Sequence, residues 1–503
     1  WDCLKIEKHF SKKHKRYSPM DIEWAKDGIT GEIFIVQARP ETVQALKNPN
    51  IYEEYILKQK GKLLLTGIAI GTKISAGKVR VIKDVKQINE FQKGEILVTE
   101  VTDPDWEPIM KIASGIITDK GGRTSHAAIV SRELGVNCIV GAGNATSILK
   151  TGQKITMDCS SGTIGNVYEG KLNFEVKKHE LKKLKNPKVK ISINIGSPDE
   201  AFRYHNLPVK GVGLGRLEFI IASQIQIHPN ALIDYEKIKK GELKFNNKTK
   251  KDLENLIKKI DQLTIGYENK QDFYVDKLTF GIAKIAAAFW PNEVIIRFSD
   301  FKTNEYATLA GGNLYEPFEE NPMIGWRGAS RYYHPNFEKA FGLECQAIKN
   351  VREKLGLINV VPMIPFCRTI EEAQKVLKIM AKYGLERGKS ISSSNKFPLK
   401  VYVMAEIPSN AILAKDFLKY FDGMSIGSND LTQLVLGIDR DSAIIAGIGN
   451  ENNQAVKETI EEIIKECRKQ KKYSGICGQA PSDFPEFANF LQQIGIEAIS
   501  LNP

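Results

Sequence analysis

A histidine can carry a phosphoryl group, and His126 stands where such a group would be accommodated. It lies in ITDKGGRTSHAAIV, which runs from Ile117 to Val130. Small apolar residues upstream (Ala113, Gly115, Ile116, Ile117) read as a buried strand, and Gly121-Gly122 as a tight break. Ala127, Val130 and Leu134 then share one helical face. His126 therefore falls in the first turn of a helix that Thr124 or Ser125 can cap. The free backbone donors and positive dipole end there suit an anion on the imidazole. A histidine that simply packs at a helix start fits the same local pattern.

A second set of reactive side chains is spread over some 260 positions: Arg216, Arg297, Arg327, Glu406, Asn429, Asp430 and Cys477. Glu406 and Asp430 both follow apolar runs. Either alone reads as half of a salt bridge; together they offer the oxygen donors that magnesium or manganese takes. Three planar guanidinium forks suit a transferring phosphoryl group, and Glu218 is near enough to Arg216 to orient one of them. Gly427, Ser428 and Asn429 make a tight polar turn before Asp430, fit for a small carboxylate or simply for a strand-to-helix turn. Arg327 and Arg331 lie near glycines in ENPMIGWRGASRYY. Gln479, Ser500 and Asn502 read as lining residues around them.

Elements must bring these residues together. From Lys190 onward there are eight short apolar runs: ISINIG, GVGLGR, VIIRFSD, INVVPMIP, VYVMAEIP, GMSIGSND, SGICGQ and AISLNP. Helical patterns such as TIEEAQKVLKIMAKYG separate several of them. That rhythm predicts an α/β chain whose C-terminal part, 190–503, is a (β/α)8 TIM barrel with its reactive groups at the carboxyl ends of the strands. Two longer interruptions, 217–290 and 301–355, predict inserts, the first helical. Upstream, 63–174 reads as a compact β-rich domain, with strands at GKVRVI, GEILVTE, SGIITD, VNCIVG, KITMDC and GTIGNVYEG. Residues 51–62 read as a connector and the lysine-rich 175–189 as a charged, mobile linker. Residues 1 to about 50 are too few for a domain, yet they end in a short strand, GEIFIVQARP, that needs partners; with the connector they make up 1–62.

At 503 residues the chain is long enough for two or three domains. No apolar run approaches the ~18 residues of a membrane span, so no membrane partner is expected. Seven cysteines lack metal-type spacing and read as free thiols of a reducing, cytoplasmic protein. The net charge of +12 lies in lysine runs at 177–190 and 237–259. The second run has helical spacing and few aromatics, the mark of a solvated helix face rather than of nucleic-acid binding.

DPDWEPIMKIASGIITDKGGRTSHAAIVSRELGVNCIVG resembles the phosphohistidine domain of the phosphoenolpyruvate-utilising enzymes, the family of phosphoenolpyruvate synthase, pyruvate phosphate dikinase and enzyme I of the sugar phosphotransferase system. The resemblance resumes at RFSDFKTNEYATLAGG, ENPMIGWRGASRYY, VMAEIPSN, FDGMSIGSNDLTQLVLGIDRDS and GICGQAPSD. Arg123 before Thr124, and SIGSNDLTQLVLGIDRDS, are similar to the synthases, with the dikinase or an enzyme I-like phosphotransferase as the alternative.

The resemblance implies a swivelling phosphohistidine domain ahead of the barrel and a pyruvate, water dikinase reaction used in gluconeogenesis. ATP, pyruvate and water would give AMP, phosphoenolpyruvate and phosphate, with His126 carrying the phosphoryl group. It makes Cys477 the acid/base at C3. Arg216, Arg297, Arg327, Glu406, Gly427, Ser428, Asn429 and Asp430 would bind pyruvate or phosphoenolpyruvate, and Glu406 and Asp430 would hold the divalent ion. DIEWAKDG and IVQARPET resemble the end of an ATP-binding domain, in which Glu23 and Gln37 would hold magnesium and nucleotide and Arg39 the phosphates. With the rest of that domain absent, the chain is expected to keep the phosphoenolpyruvate–histidine half-reaction. Implied partners are a second copy through the barrel, or a larger homo-oligomer, and a regulatory kinase acting on Thr124.

Overall fold

The computed structural model describes residues 2–41, 51–59, 61–122, 125–160, 164–181, 187–243, 245, 249–390, 398–438, 450–478 and 480–502. They divide into two compact units, Trp1–Leu184 and Lys185–Pro503.

The first unit opens with the helix Asp2–His14 and an antiparallel hairpin of β1 (Met20–Lys26) and β2 (Ile33–Pro40). GEIFIVQARP thus finds its partner within the preceding residues. β3 (Ile51–Leu57) follows, then a closed barrel. Its seven strands are β4 (Leu63–Ile70), β5 (Ile74–Val81), β6 (Ile96–Thr99), β7 (Gly115–Thr118), β8 (Cys138–Val140), β9 (Lys154–Asp158) and β10 (Ile164–Glu169). Six of these fall on the expected runs. The seventh, LLLTGIAI, lies where the sequence reading placed no strand. Ile96, Val98, Ile117, Ile139, Ile155 and Val167 fill the barrel, while the outer sides of β6 and β7 pack on Trp106, Met110, Ala127 and Val130. The expected helical face of Ala127 and Val130 is therefore a core face.

The stretches read as connector and linker contain a pair of strands that the sequence reading did not place. β11 (Phe174–Glu180), inside the stretch read as linker, pairs antiparallel with β3, inside the stretch read as connector. Tyr52, Glu53 and Glu54 face His179, Lys178 and Lys177, and Lys178–Glu53 (3.4 Å), His179–Glu54 (3.0 Å) and Lys58–Glu175 (2.8 Å) meet across the ribbon. The lysine run looked unpaired because its acidic complement lies more than a hundred residues earlier.

The second unit is a closed barrel of eight parallel strands in chain order: β12 (Lys190–Ile195), β13 (Val212–Arg216), β14 (Val294–Arg297), β15 (Val360–Ile364), β16 (Tyr402–Ala405), β17 (Gly423–Ile426), β18 (Tyr473–Ile476) and β19 (Ala498–Leu501). β19 closes on β12. Each strand coincides with one of the eight predicted runs. Their side chains alternate: Val294 and Ile296 pack outward on the helical layer, while Leu214, Ile295, Val361, Met363, Tyr402 and Met404 fill the interior with Cys477 above them. The barrel is therefore plugged, and only its mouth can hold a ligand. Both long interruptions are helical; the first contains Lys250–Leu263, whose lysines face outward, and Lys270–Ala288. Among the described residues no helix is long and apolar enough to cross a membrane.

Candidate active site

His126 is the first residue of the helix His126–Leu134. β6 and β7 run parallel in register, so the loops that leave them emerge at the same end of the small barrel. The two loops are tied by Asp119 N to Thr99 O (3.1 Å) and Lys120 N to Glu100 O (3.0 Å). This brings Thr102 beside the imidazole, with its hydroxyl 2.9 Å from His126 Nδ1. With Nδ1 engaged, Nε2 is the ring nitrogen open to chemistry. Ser125 donates its hydroxyl to Gly122 O (2.9 Å). Thr124 and Gln479 lie outside the described residues.

The barrel mouth encloses a cavity of about 390 Å³ lined by Arg216, Arg297, Arg327, Glu406, Gly427, Asn429, Asp430 and Cys477, together with Glu218 and Asp300. Arg216 and Arg297 end adjacent strands and are register partners. Two cations side by side require acids, and Glu218 supplies one. Its Oε1 accepts from Arg297 Nη2 (2.7 Å) and from Asp300 N (2.7 Å), so Glu218 orients Arg297. Burial works against the Arg297 charge, yet Glu218 and Asp300 outweigh it and hold the guanidinium protonated. Arg327 arrives from a loop and forms a fork on Asp300, with Nε at 3.1 Å from Oδ1 and Nη2 at 2.5 Å from Oδ2, while Nη2 also reaches Asp430 Oδ2 at 3.0 Å. Its guanidinium stacks 4.2 Å from the Phe366 ring centre.

Asp300, Glu406 and Asp430 present carboxylate oxygens that all lie within 4.8 Å of one another, and all three residues are buried. Phe366 N donates to Glu406 Oε1 (2.7 Å). Burial first, then the neighbouring Asp430 and Asp300, push the Glu406 carboxyl up to about 8. Burial also opposes the charge on Asp300, but Arg327 and Arg297 hold its carboxyl below the usual range. A converging, oxygen-only donor set of this kind fits a hard divalent cation. Gly427 donates its N–H to Ala405 O (3.1 Å), and a Cβ there would sit 2.8 Å from Glu406 Oε2. Glycine thus gives Glu406 its room. Ser428 is fully buried with its side chain against Gly478. It is not among the described residues that line the cavity.

Cys477 follows β18 and is 5% exposed. Ser425, on the neighbouring β17, donates its hydroxyl to Cys477 Sγ (3.7 Å), and the thiol in turn reaches Ile426 O (3.6 Å). Burial raises the thiol above its ordinary range despite Ser425, Arg297 and Arg216, so Cys477 is a protonated acid at neutral pH. Asn194 Nδ2 steadies this turn from across the barrel, donating to Cys477 O (3.3 Å) and to Asn502 Oδ1 (3.0 Å). Ser500 is buried.

Asp300, Thr102, Ser425 and Asn194 were missed in the sequence. Asp300 could have been found, because it stands three residues after an arginine at a strand end. The other three act through partners distant in sequence, and no local signal marks them. Arg331, which shares Arg327's loop pattern, is wholly buried away from the cavity. In the hairpin, Glu23 faces Gln37 and Asp21 faces Arg39, with Arg39 Nε 2.9 Å from Asp21 Oδ2.

A family model of the phosphoenolpyruvate-binding domain of phosphoenolpyruvate-utilising enzymes matches residues 173–503, and one of their mobile domain matches 91–162. A model of the AMP/ATP-binding domain of pyruvate phosphate dikinase matches 2–59. Among curated relatives, phosphoenolpyruvate synthase of Aquifex aeolicus is 53% identical over 540 residues, covering 100% of this chain and 62% of the relative. That of Synechocystis sp. is 53% identical over 503 residues, covering 100% and 59%. That of Escherichia coli (strain K12) is 49% identical over 501 residues, covering 100% and 60%. The chain thus spans about three fifths of the length of these relatives. With His126 inside the mobile-domain match and the whole barrel mouth inside the phosphoenolpyruvate-binding match, the chain belongs to the phosphoenolpyruvate-utilising enzyme family.

Proposed function

We propose that the chain interconverts phosphoenolpyruvate and pyruvate by passing the phosphoryl group to and from His126, as part of a pyruvate, water dikinase. The overall reaction would be that of the relatives named phosphoenolpyruvate synthase: ATP, pyruvate and water to AMP, phosphoenolpyruvate and phosphate. The observation that carries this reading is the convergence of three arginines, three carboxylates and a buried thiol on one cavity.

Arg216, Arg297 and Arg327 hold the phosphoryl oxygens of phosphoenolpyruvate and balance their charge in transit. The neutral Nε2 of His126 attacks phosphorus, an N–P bond forms as the enol O–P bond breaks, and the electron pair leaves as enolate. Thr102 at Nδ1 keeps the ring in the orientation this needs, its hydroxyl able to accept a hydrogen bond from Nδ1–H. Cys477 then gives its thiol proton to C3, yielding pyruvate, with Ser425 stabilising the thiolate. In synthesis the steps reverse. Asn429 and the Gly427–Ser428 turn orient the carboxylate. Glu406 and Asp430, with Asp300 beside them, would hold magnesium, or manganese in its place. That cation would neutralise developing negative charge on the substrate oxygens.

Glu23, Gln37 and Arg39 belong to the nucleotide side of the reaction, supported by the match at 2–59. The small barrel is the swivelling carrier between nucleotide and barrel mouth. A cytoplasmic homodimer through the large barrel completes the reading, and phosphorylation of Thr124 by a regulatory kinase would place a dianion beside the histidine and block it. The test is incubation with labelled phosphoenolpyruvate and magnesium. Label on His126 with release of pyruvate is expected, and label elsewhere or none would overturn the reading.

A further inference from the structure

Arg297 is fixed by the strand it ends, but Arg327 comes from the loop between Asn321 and Gly328, which no sheet holds. Arg368 Nη2 ties this loop from outside, donating to Ile324 O (3.2 Å) and Gly325 O (2.5 Å), and next to Arg327 itself the loop is held by the peptide group of Trp326. The Trp326 N–H donates to both oxygens of Glu319 (2.9 and 3.2 Å). Glu319 Oε2 also accepts from the Thr303 hydroxyl (2.9 Å), on the segment that carries Asp300. The carboxylate can lie this close because residue 325 is glycine, where a Cβ would collide with Glu319. The Trp326 carbonyl accepts from Arg331 Nη2 (3.0 Å) and Nε (3.3 Å).

Arg331 is itself fully buried, stacked 4.0 Å from the Trp326 ring centre and paired with Glu316 through two bonds of 2.6 and 2.8 Å. Glu316 Oε1 also lies 3.0 Å from His228 Nε2, and His228 Nδ1 accepts from Asn230 N (3.2 Å). The imidazole therefore carries its proton on Nε2. An ion pair this deeply buried is a poor source of stability compared with an apolar substitute. None of its members lines the cavity among the described residues. Its reach ends at the peptide that precedes Arg327.

We propose that Glu319, Arg331 and Glu316 are positioning residues for phosphoryl binding. They clamp the Trp326 peptide from both sides, so that the Arg327 fork meets Asp300 and faces the phosphoryl group in fixed geometry. The proposal rests on the reading that the cavity binds phosphoenolpyruvate.

The test is calorimetric binding of phosphoenolpyruvate and, separately, of pyruvate, each with magnesium, to the full chain. Glu319→Ala is expected to weaken phosphoenolpyruvate about tenfold and to leave pyruvate unchanged, since pyruvate has no phosphoryl group for Arg327. In an Arg327→Lys background the same change is expected to add almost nothing, because the fork it positions is gone. Thr303→Val removes only the tie to the Asp300 segment and is expected to give the same selectivity at about threefold, which keeps the test open if Glu319→Ala folds poorly. Equal weakening of both ligands, an unchanged phosphoenolpyruvate affinity, or full additivity with Arg327→Lys would overturn the proposal alone. Failure of the unmutated chain to bind phosphoenolpyruvate would overturn the cavity reading and this proposal with it.

Discussion

Cys477 and Glu406 owe their chemistry to what surrounds them. Seven cysteines are available, and what distinguishes Cys477 is a hydroxyl donor on one side, two arginines near by and an open cavity above. Replacing it with alanine is expected to slow deuterium exchange into the pyruvate methyl group by roughly 10²–10⁴-fold, measured by proton NMR, with magnesium affinity unaltered. Glu406 makes a second prediction. Its carboxyl, raised to about 8 by burial and two acidic neighbours, must lose a proton to take a cation. Magnesium affinity measured by calorimetry should therefore climb as pH rises towards 8 and level off above it. Glu406→Gln should abolish that slope and cost more than the roughly 10–100-fold typical of losing an outer-shell partner.

The elements that carry these residues are held by side chains that never reach the cavity. Glu344, on the helix Glu338–Glu353, accepts from Ser299 N (3.0 Å) and from its hydroxyl, and so fixes the turn after β14 that carries Asp300. Burial raises its carboxyl to about 7, above its unfolded value. The folded state thus binds the extra proton, and the stability this contributes is full below about pH 4.5 and is lost as pH rises through 7. Thermal unfolding across pH 5–8 should show a downward slope worth on the order of 3 kcal/mol, and Glu344→Gln should remove it. The barrel strands were legible in the sequence because both of their faces are buried and each leaves a short apolar run between helical segments. β3 and β11 were not, since their pairing rests on charges far apart in the chain.

At the scale of the whole molecule, the histidine and the cavity belong to separate compact units, and both strands of the β3–β11 ribbon belong to the first. Glu53→Lys with Glu54→Lys sets like charges opposite Lys178 and Lys177. The ion pairs are exposed, so each is worth under about 1 kcal/mol and the fold should survive. Labelling of His126 by phosphoenolpyruvate is expected to slow several-fold by rapid-quench kinetics, while pyruvate methyl exchange stays unchanged. An unaltered labelling rate would show that the ribbon takes no part in the transfer.

The sequence by itself determined the large barrel and the helix that begins at His126, because local periodicity marks them, and it put Arg216, Arg297, Glu406, Asp430 and Cys477 at the mouth, because they follow strand patterns; Arg327 was marked by its glycine-flanked loop alone. Tertiary structure alone decided which groups answer one another: Thr102 for the imidazole, Asp300 for two arginines, Ser425 for the thiol, Glu319 for the loop of Arg327. These are hydrogen bonds and ion pairs between residues that the fold, not the chain order, makes neighbours. Closing the sheet into a cylinder puts the ends of distant strands within a few ångströms, and periodicity records that a strand ends there but not which side chain waits across the gap.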